Sequence, residues 1–471
     1  MSPPVSVSQN CLRIVDRKRT HKPILSLCMI VRNEESYLDG CINSVADVVD
    51  EIIVVDTGST DQTVRIAQQF GAIVFHFTWS DHFSSARNES IKHATGDWIL
   101  YLDADERLAG ESKDELIRWL HNPDAAYVNV IIASPNSNST GHLSRSHRLF
   151  RNLPGIQFTG RIHEQISPSF MKLGYNEHFS SIRIEHLGYH KSPVKMAQKN
   201  RRNVRLLKKQ IADDPRNFYW HYCLAQNLML WGKFERAITS LDTALQLGEV
   251  PNDIRCSVYN NLAEAHLKLS NYALAIQCAR RAISVSEEQA TSHLLLFQIY
   301  ERLNDKQAQI KSLESAIRLI DRRRSHCRAT SLEAYVDPFL VYLKIANLYF
   351  EKDDVEKAQN YYAKVLDKNK NNFLALQGLA ACFLKSGDFT QAYEILNRLI
   401  TLGSNDVAAL DKFAWLAIKL GKHDEAMESY LQLLKLQPAN IQVKKRLAAL
   451  YSKSGQIDQA QKILSEIHSE S

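Results

Sequence analysis

Small residues recur along the C-terminal half at a spacing that leaves few folds open. Ala358, Ala392, Ala426 and Ala460 lie 34 residues apart, and Ala237 and Ala275 stand in the same context upstream. Twelve residues before each comes another alanine: Ala225, Ala263, Ala346, Ala380, Ala414 and Ala448. Five residues before four of them comes a glycine: Gly232, Gly387, Gly421 and Gly455. A register of small residue, turn and small residue specifies helix pairs that approach closely at the alanines and reverse between them. One pair cannot bury its apolar face alone, so neighbours must stack. A further unit falls at about 292–320, with Gln309 in the alanine slot. The 49 residues from Gln309 to Ala358 then hold an insertion that includes the basic run 322–324. Pro438 closes one unit.

This period and pattern resemble the tetratricopeptide repeat. The resemblance implies an α-solenoid whose groove suits an extended or helical peptide, either an acceptor or a partner. That favours a polypeptide acceptor or partner, with self-association as the other use of such a surface.

Before about Tyr189 the pattern changes to short β-rich runs alternating with helical segments. Strands are expected at 24–31, 51–56, 72–77 and 98–102, with helices at about 33–46, 61–70 and 84–94 between them. Further β-like runs lie at 127–132, 147–150 and 181–185. Such alternation predicts an α/β sandwich with a mainly parallel sheet. The resulting division is a loose tail over 1–22, an α/β domain over 23–194, a linking helix over 195–216 and repeats over 217–471.

Composition excludes several classes. With 471 residues, 45% apolar and 23% charged, the chain is neither disordered nor of low complexity. A net charge of +6 does not by itself call for nucleic acid. The eight cysteines are scattered without a CxxC pair, which fits reduced thiols in the cytoplasm rather than a disulfide framework or a zinc site. No apolar stretch approaches the ~18 residues of a membrane span. The segment 1–22 lacks a signal-peptide core. A cytoplasmic protein is expected, with peripheral contact at the inner face of a membrane left open.

Open α/β sheets bind ligands beyond the carboxyl ends of their strands, and those ends are polar here. Arg32-Asn33-Glu34-Glu35 follows the first strand, with Asn33 placed to cap the next helix. Asp56-Thr57-Gly58-Ser59-Thr60-Asp61 follows the second. Asp56 ends an apolar run and can accept hydrogen bonds from a nucleobase or ribose, whereas Ser59 with Gln62 reads as a capping box. Asp103-Ala104-Asp105-Glu106 follows the fourth strand. Residues i and i+2 of a strand share a face, so Asp103 and Asp105 form a pair suited to Mg²⁺ or Mn²⁺. Loop residues or helix caps are the plain alternative for such acidic groups.

These segments, with Leu25–Val31 before the first and Ser85-Ala86-Arg87-Asn88 between the last two, resemble family 2 glycosyltransferases in order and spacing over about 23–190. The resemblance implies a GT-A fold, a nucleotide-sugar donor, by default a UDP-sugar, and inverting transfer. It places Asn33, Glu34, Asp56, Gly58, Ser59, Arg87, Asp103 and Ala104 at the nucleotide sugar. Asp103 and Asp105 become a DxD-type metal motif. By position, His163, His186 and His190 are candidates for a third ligand or a diphosphate contact, and His186 is the best of them because it ends the strand expected at 182–185. Arg148-Leu149-Phe150-Arg151, Phe158–Glu164 and His186-Leu187-Gly188-Tyr189 resemble the subset that carries tetratricopeptide repeats behind the catalytic domain. That subset includes bacterial peptide S- and O-glycosyltransferases and surface-polysaccharide enzymes, so the acceptor is a peptide or protein or a cell-surface glycan precursor.

Inverting transfer needs a base for the acceptor proton. Glu164 is the leading candidate, since it lies past the donor half and matches the subset's His-Glu pair. The bland reading pairs it with Arg161 or Arg148. Arg145, Arg148, Arg151 and Arg161 are candidates for phosphate contacts or for a solvated strand face. The segment 195–215 carries seven basic residues against two acidic ones, which reads as a charged exposed helix face or a contact for anionic lipid. GxGxxG and GxxxxGK[ST] are missing, which argues against dehydrogenases and P-loop NTPases. No membrane helix with QxxRW appears, which favours transfer of single hexosyl or N-acetylhexosaminyl units over processive synthesis. A non-catalytic scaffold acting through the repeats is the alternative function.

Overall fold

A computed structural model describes residues 25–134, 142–187, 193–248, 250–324 and 337–469. The expected tail, the insertion at 325–336, Cys11, Cys327, Gly188, Tyr189 and His190 lie outside the described residues.

The N-terminal region is an α/β sandwich. In chain order it runs β1 (Leu25–Val31), α1 (Leu38–Val45), β2 (Glu51–Asp56), α2 (Thr63–Gln69), β3 (Ile73–His76), α3 (Phe83–His93), β4 (Trp98–Tyr101) and β5 (Glu106–Leu108). Then follow α4 (Lys113–Leu120), β6 (Tyr127–Ser134), β7 (His142–Arg151), α5 (Ser167–Lys172) and β8 (Glu177–His186). The strands form one sheet in the order β3-β2-β1-β4-β7-β6-β8-β5.

The expectation of a mainly parallel sheet holds for the first half only. β1 pairs in parallel with β2 and β4, and β2 with β3. Beyond β4, the pairs β4–β7, β6–β7 and β5–β8 are antiparallel, and β6–β8 is parallel. Only seven residues separate the long strands β6 and β7, too few for the crossover that a parallel return needs.

Strands buried on both faces explain the near-continuous apolar runs. Alternate residues divide between two cores. Leu25, Leu27, Met29, Ile52, Val54 and Leu100 pack with Leu38, Ile42 and Val45 of α1 and Leu116 of α4. Cys28, Ile53, Ile99 and Tyr101 pack on the other side with Phe150, Phe158 and Phe170. At ~25 cal/mol per Å² of buried apolar area, these two layers dominate the stability of the sheet.

The rest is helical: α6 (Pro193–Asp213), α7 (Phe218–Leu230), α8 (Phe234–Gln246), α9 (Asn252–Lys268), α10 (Tyr272–Val285), α11 (Ala290–Arg302) and α12 (Lys306–Arg324). After the insertion come α13 (Pro338–Glu351), α14 (Val355–Lys368), α15 (Phe373–Ser386), α16 (Phe389–Thr401), α17 (Val407–Lys419), α18 (His423–Leu436), α19 (Ile441–Lys453) and α20 (Ile457–Ser469). Contacts divide the chain into two compact units. One runs through Ile299; the other holds Tyr300–Arg324 and Asp337–Ser471.

All twelve register alanines are buried, none more than 2% exposed, and Gln309 is buried in its alanine slot. The turn position explains why only four repeats carry glycine. Gly232, Gly387, Gly421 and Gly455 have φ from 67° to 79°, and Ser270, Asn304 and Asp353 occupy the same place with φ of 60°, 55° and 69°. The turn needs the left-handed conformation in every unit, and short polar side chains tolerate it where glycine is missing.

Candidate active site

The loops after β1 and β2 are tied together by side chains. Asn33 has a left-handed φ of 55°. Its amide donates to Ser59 Oγ at 3.0 Å, and its Oδ1 accepts from the Thr60 amide at 2.7 Å. The Glu34 amide donates to Thr63 Oγ1 at 2.8 Å, and Glu35 accepts from the Gln62 amide at 3.0 Å. Two expectations fail here. Asn33 does not cap α1, which starts at Leu38 without a side-chain cap. Ser59 and Gln62 form no capping box, because α2 starts at Thr63 and Asp61 Oδ1 accepts the Thr63 amide at 3.0 Å. Cross-linking the two loops uses the groups that helix capping would need.

Asp56 is 3% exposed at the end of β2. Its carboxylate accepts the Ser59 amide at 3.0 Å and the Gly58 amide at 3.2 Å, with His76 Nδ1 3.3 Å away. It therefore organises the Gly58 turn, where φ is 103°.

The centre of the site is a buried charge cluster below the end of β4. Asp103 and Asp105 lie in the tight turn into β5 rather than on a continuing strand, closed by the Glu106 amide donating to the Asp103 carbonyl at 2.9 Å. Arg87 of α3, 6% exposed, places Nη2 2.8 Å from Asp103 Oδ1 and Nε 2.5 Å from Glu164 Oε1. Arg148 of β7 places Nη2 2.6 Å from Glu106 Oε1 and 3.4 Å from Asp103 Oδ2. Both guanidinium groups lie over the Tyr101 ring, at 4.5 and 4.2 Å from its centroid. The Arg148 Nε–H is buried without a partner.

Burial alone would raise the Asp103 pKa, but Arg87 and Arg148 outweigh it and hold the carboxylate well below its usual range. Glu106 moves the other way, because burial outweighs its bond to Arg148 and Asp103 adds negative charge nearby. Asp105 sits 3.5 Å from His186 Nε2, and the hydrogen bond between them raises the imidazole pKa. Ala104 is buried and its carbonyl accepts from Arg107 Nη1 at 2.8 Å, which fixes the turn.

The predicted residues thus separate by place. Asp103, Asp105, His186, Arg87 and Glu164 converge, whereas Asn33, Glu34, Asp56, Gly58 and Ser59 form the adjoining double loop. Glu164 pairs with Arg87, not with Arg161 or Arg148 as its bland reading had it. Arg161 pairs instead with Asp213 at 2.6 Å. Of the arginine series only Arg148 reaches the cluster. Arg145 and Arg151 donate to the backbone carbonyls of Ser180 and Ala125. His163 is drawn away from the metal candidates, its Nε2 being 3.2 Å from Asn227 Nδ2. Glu106 was missed as a site residue, and its place directly after the Asp103–Asp105 pair was the available signal.

No group of three or more His, Cys, Asp or Glu side chains forms a ready metal cage among the described residues. Asp105 and His186 lie side by side there, and the Asp105 carboxylate is the ligand type that Mg²⁺ or Mn²⁺ takes. Mg²⁺-type sites commonly use one or two carboxylates and complete their shell with substrate phosphates.

Residues 26–183 match the family model described as glycosyl transferase family 2. Residues 257–289, 349–413 and 417–470 match tetratricopeptide repeat models. The chain is similar to a TPR repeat-containing protein of Synechococcus elongatus, 38% identical over 245 residues, covering 51% of this chain and 60% of that protein. It is also similar to the SPbeta prophage-derived glycosyltransferase SunS of Bacillus subtilis, 31% identical over 241 residues, covering 50% of this chain and 57% of that one. The chain thus spans little more than half the length of these relatives. Among solved structures, the C-terminal part of a TPR repeat-containing protein from Cytophaga hutchinsonii matches with a TM-score of 0.43 at 15% identity, covering 53% of this chain and 94% of that one. No helix among the described residues is long and apolar enough to cross a membrane.

Proposed function

The chain carries an N-terminal family 2 glycosyltransferase domain followed by tetratricopeptide repeats, and on that premise we propose that it is an inverting, non-processive glycosyltransferase. It moves a hexosyl or N-acetylhexosaminyl unit from a UDP-sugar to a peptide or protein acceptor engaged by the repeats. The observation that supports this reading is the Arg87 side chain, which binds both Asp103, assigned here to the donor, and Glu164, assigned here to the acceptor proton.

Transfer with inversion requires the acceptor and the leaving diphosphate on opposite faces of the anomeric carbon. The double loop of Asn33, Glu34, Asp56, Gly58 and Ser59 is the nucleoside end of the donor site. Arg148, held between Glu106 and Asp103, adds positive charge beneath the place of the sugar diphosphate. Asp105 and His186 would hold Mg²⁺ or Mn²⁺, which when bound neutralises charge on the leaving diphosphate. Glu164 is oriented through Oε1 by Arg87. Its Oε2 has no protein donor among the described residues and takes the proton of the acceptor group.

A thermal-shift panel with UDP, GDP and CMP, each with and without Mn²⁺, tests the donor site, because a ligand of the native state raises its melting temperature by mass action. The expected result is a shift with UDP that needs Mn²⁺ and is lost in Asp105→Ala. A parent protein that none of the nucleotides stabilises would remove the basis of the proposal.

A further inference from the structure

The loop that carries Glu164 is held from two sides, and one of them lies outside the segment that matches the glycosyltransferase family. The loop closes on itself through paired bonds between Thr159 and Gln165, at 2.9 and 3.0 Å. From within the domain, Asn88 of α3 bonds the Phe158 amide and carbonyl at 2.7 and 3.0 Å, and Ser84 Oγ donates to the Gly160 carbonyl at 2.7 Å. The family match ends at residue 183, and α6 starts ten residues later. Yet the Arg161 amide donates to Gln210 Oε1 of α6 at 2.7 Å, and Asn227 Nδ2 of α7 lies 3.2 Å from His163 Nε2.

These contacts lie close to Glu164. Arg161 and His163 stand three residues and one residue before it. Gln210 and Asn227 are 9% and 4% exposed, so no water substitutes for them cheaply. Asn227 is fixed in turn by donating to the Cys223 carbonyl at 2.9 Å, and its own carbonyl accepts from Asn200 of α6 at 3.2 Å. Gly160 has φ of 102°, and a Cβ there would lie 2.5 Å from Trp220 of α7. The helix face, not only the loop, therefore sets the backbone path. The basic residues of α6 contribute to the same junction. Arg205 and Lys209 bind Asp81 at 2.8 and 2.7 Å, and Arg202 lies over the Phe83 ring, whose amide donates to the Arg161 carbonyl.

We infer that Gln210 and Asn227 are positioning residues for the acceptor side of the reaction, so that the catalytic unit extends through α7 to about Leu230. This rests on the reading of Glu164 as the base. A carboxylate that must meet an acceptor proton within hydrogen-bond reach depends on the backbone that presents it. The helices that start the helical region thus form the outer wall of the site.

The test is hydrogen exchange of the full chain, read on peptides covering 158–165, with donor turnover measured on UDP-glucose and UDP-N-acetylglucosamine. Gln210→Leu and Asn227→Leu should each speed exchange of 158–165 about tenfold, as loss of one buried bond to a local opening predicts. Exchange of β1 and β4 should stay unchanged, which reports an intact fold. Turnover should fall in kcat with donor KM preserved. Gln210→Glu keeps an oxygen for the Arg161 amide and should restore both readouts. Parent-like exchange of 158–165 in both leucine variants, or Gln210→Glu as damaged as Gln210→Leu, would overturn the inference. Full turnover in Glu164→Gln would instead sink the assignment of the base while leaving the exchange result standing.

Discussion

Arg87 Nε lies 2.5 Å from Glu164 Oε1, and the residues are 77 positions apart in the chain. The same guanidinium reaches Asp103 through Nη2, so one side chain sets the spacing between two candidate functional carboxylates. Arginine suits this task because its donors are fixed in one plane, whereas a lysine offers a single point of charge. Arg87→Lys should therefore lower kcat by at least ~100-fold, about 2.7 kcal/mol of barrier. Arg87→Ala should also destabilise the fold by about 3–5 kcal/mol, since it leaves buried carboxylates uncompensated. Urea denaturation of both variants separates the two effects, and a parent-like kcat in Arg87→Lys would contradict the bridging role.

Glu164→Gln keeps the shape and an oxygen for Arg87 but cannot accept the acceptor proton. Turnover should fall by ~10²–10⁴-fold, the usual contribution of a positioned base. Nucleotide binding, read as a thermal shift with UDP, should be unaffected. A loss of UDP binding in this variant would place Glu164 on the donor side.

The metal reading separates Asp105 and His186 from Asp103. Asp103 is already compensated by two guanidinium groups, whereas Asp105 faces an imidazole. His186→Ala and Asp105→Asn should both abolish the Mn²⁺-dependent UDP shift. EDTA should reduce the parent to the same behaviour. A Mn²⁺-dependent shift that survives in Asp105→Asn would refute the assignment.

Much of this arrangement was legible in the sequence, and the parts that were not share a cause. The strands β1, β2 and β4 are continuous apolar runs, and the polar loops follow them directly, so local pattern suffices. The repeats announce themselves because close packing admits only small residues at fixed positions. What local pattern cannot give is the partner across the chain. Glu164 pairs with Arg87 rather than Arg161, because β-sheet order and the α6 helix bring distant segments together. The Asn33 and Ser59 side chains look like helix caps by type, yet each serves the other's loop. Short elements also escape: β5 has three residues, too few for a periodic signal.

The repeat turn supplies a stability test whose sign is fixed in advance. Ser270 holds a left-handed φ of 60° where four other repeats use glycine. That conformation costs an L-residue roughly 1–2 kcal/mol, and the greater unfolded-state freedom of glycine returns about half of it. Ser270→Gly should therefore stabilise the α9–α10 pair by about 0.5 kcal/mol. Slower hydrogen exchange in that pair would show it, and faster exchange would mean that the serine makes a compensating bond.

Burial of His163 makes the loop that carries Glu164 sensitive to acid. Desolvation is the largest influence on this imidazole and holds its pKa below the usual 6.5, against the pull of the neighbouring Glu164 charge. The unfolded or opened loop therefore binds a proton more readily than the closed one. The contribution of His163 to loop closure is complete above about pH 6.5 and is lost as the pH falls from there through its lower folded value. Hydrogen exchange of 158–165 should accordingly accelerate between pH 7.5 and 5 relative to β1 and β4, after correction for intrinsic exchange. His163→Gln removes the titrating group and should flatten that dependence. If the parent and the variant respond alike, the acid sensitivity belongs to another group and His163 is merely packed against Asn227.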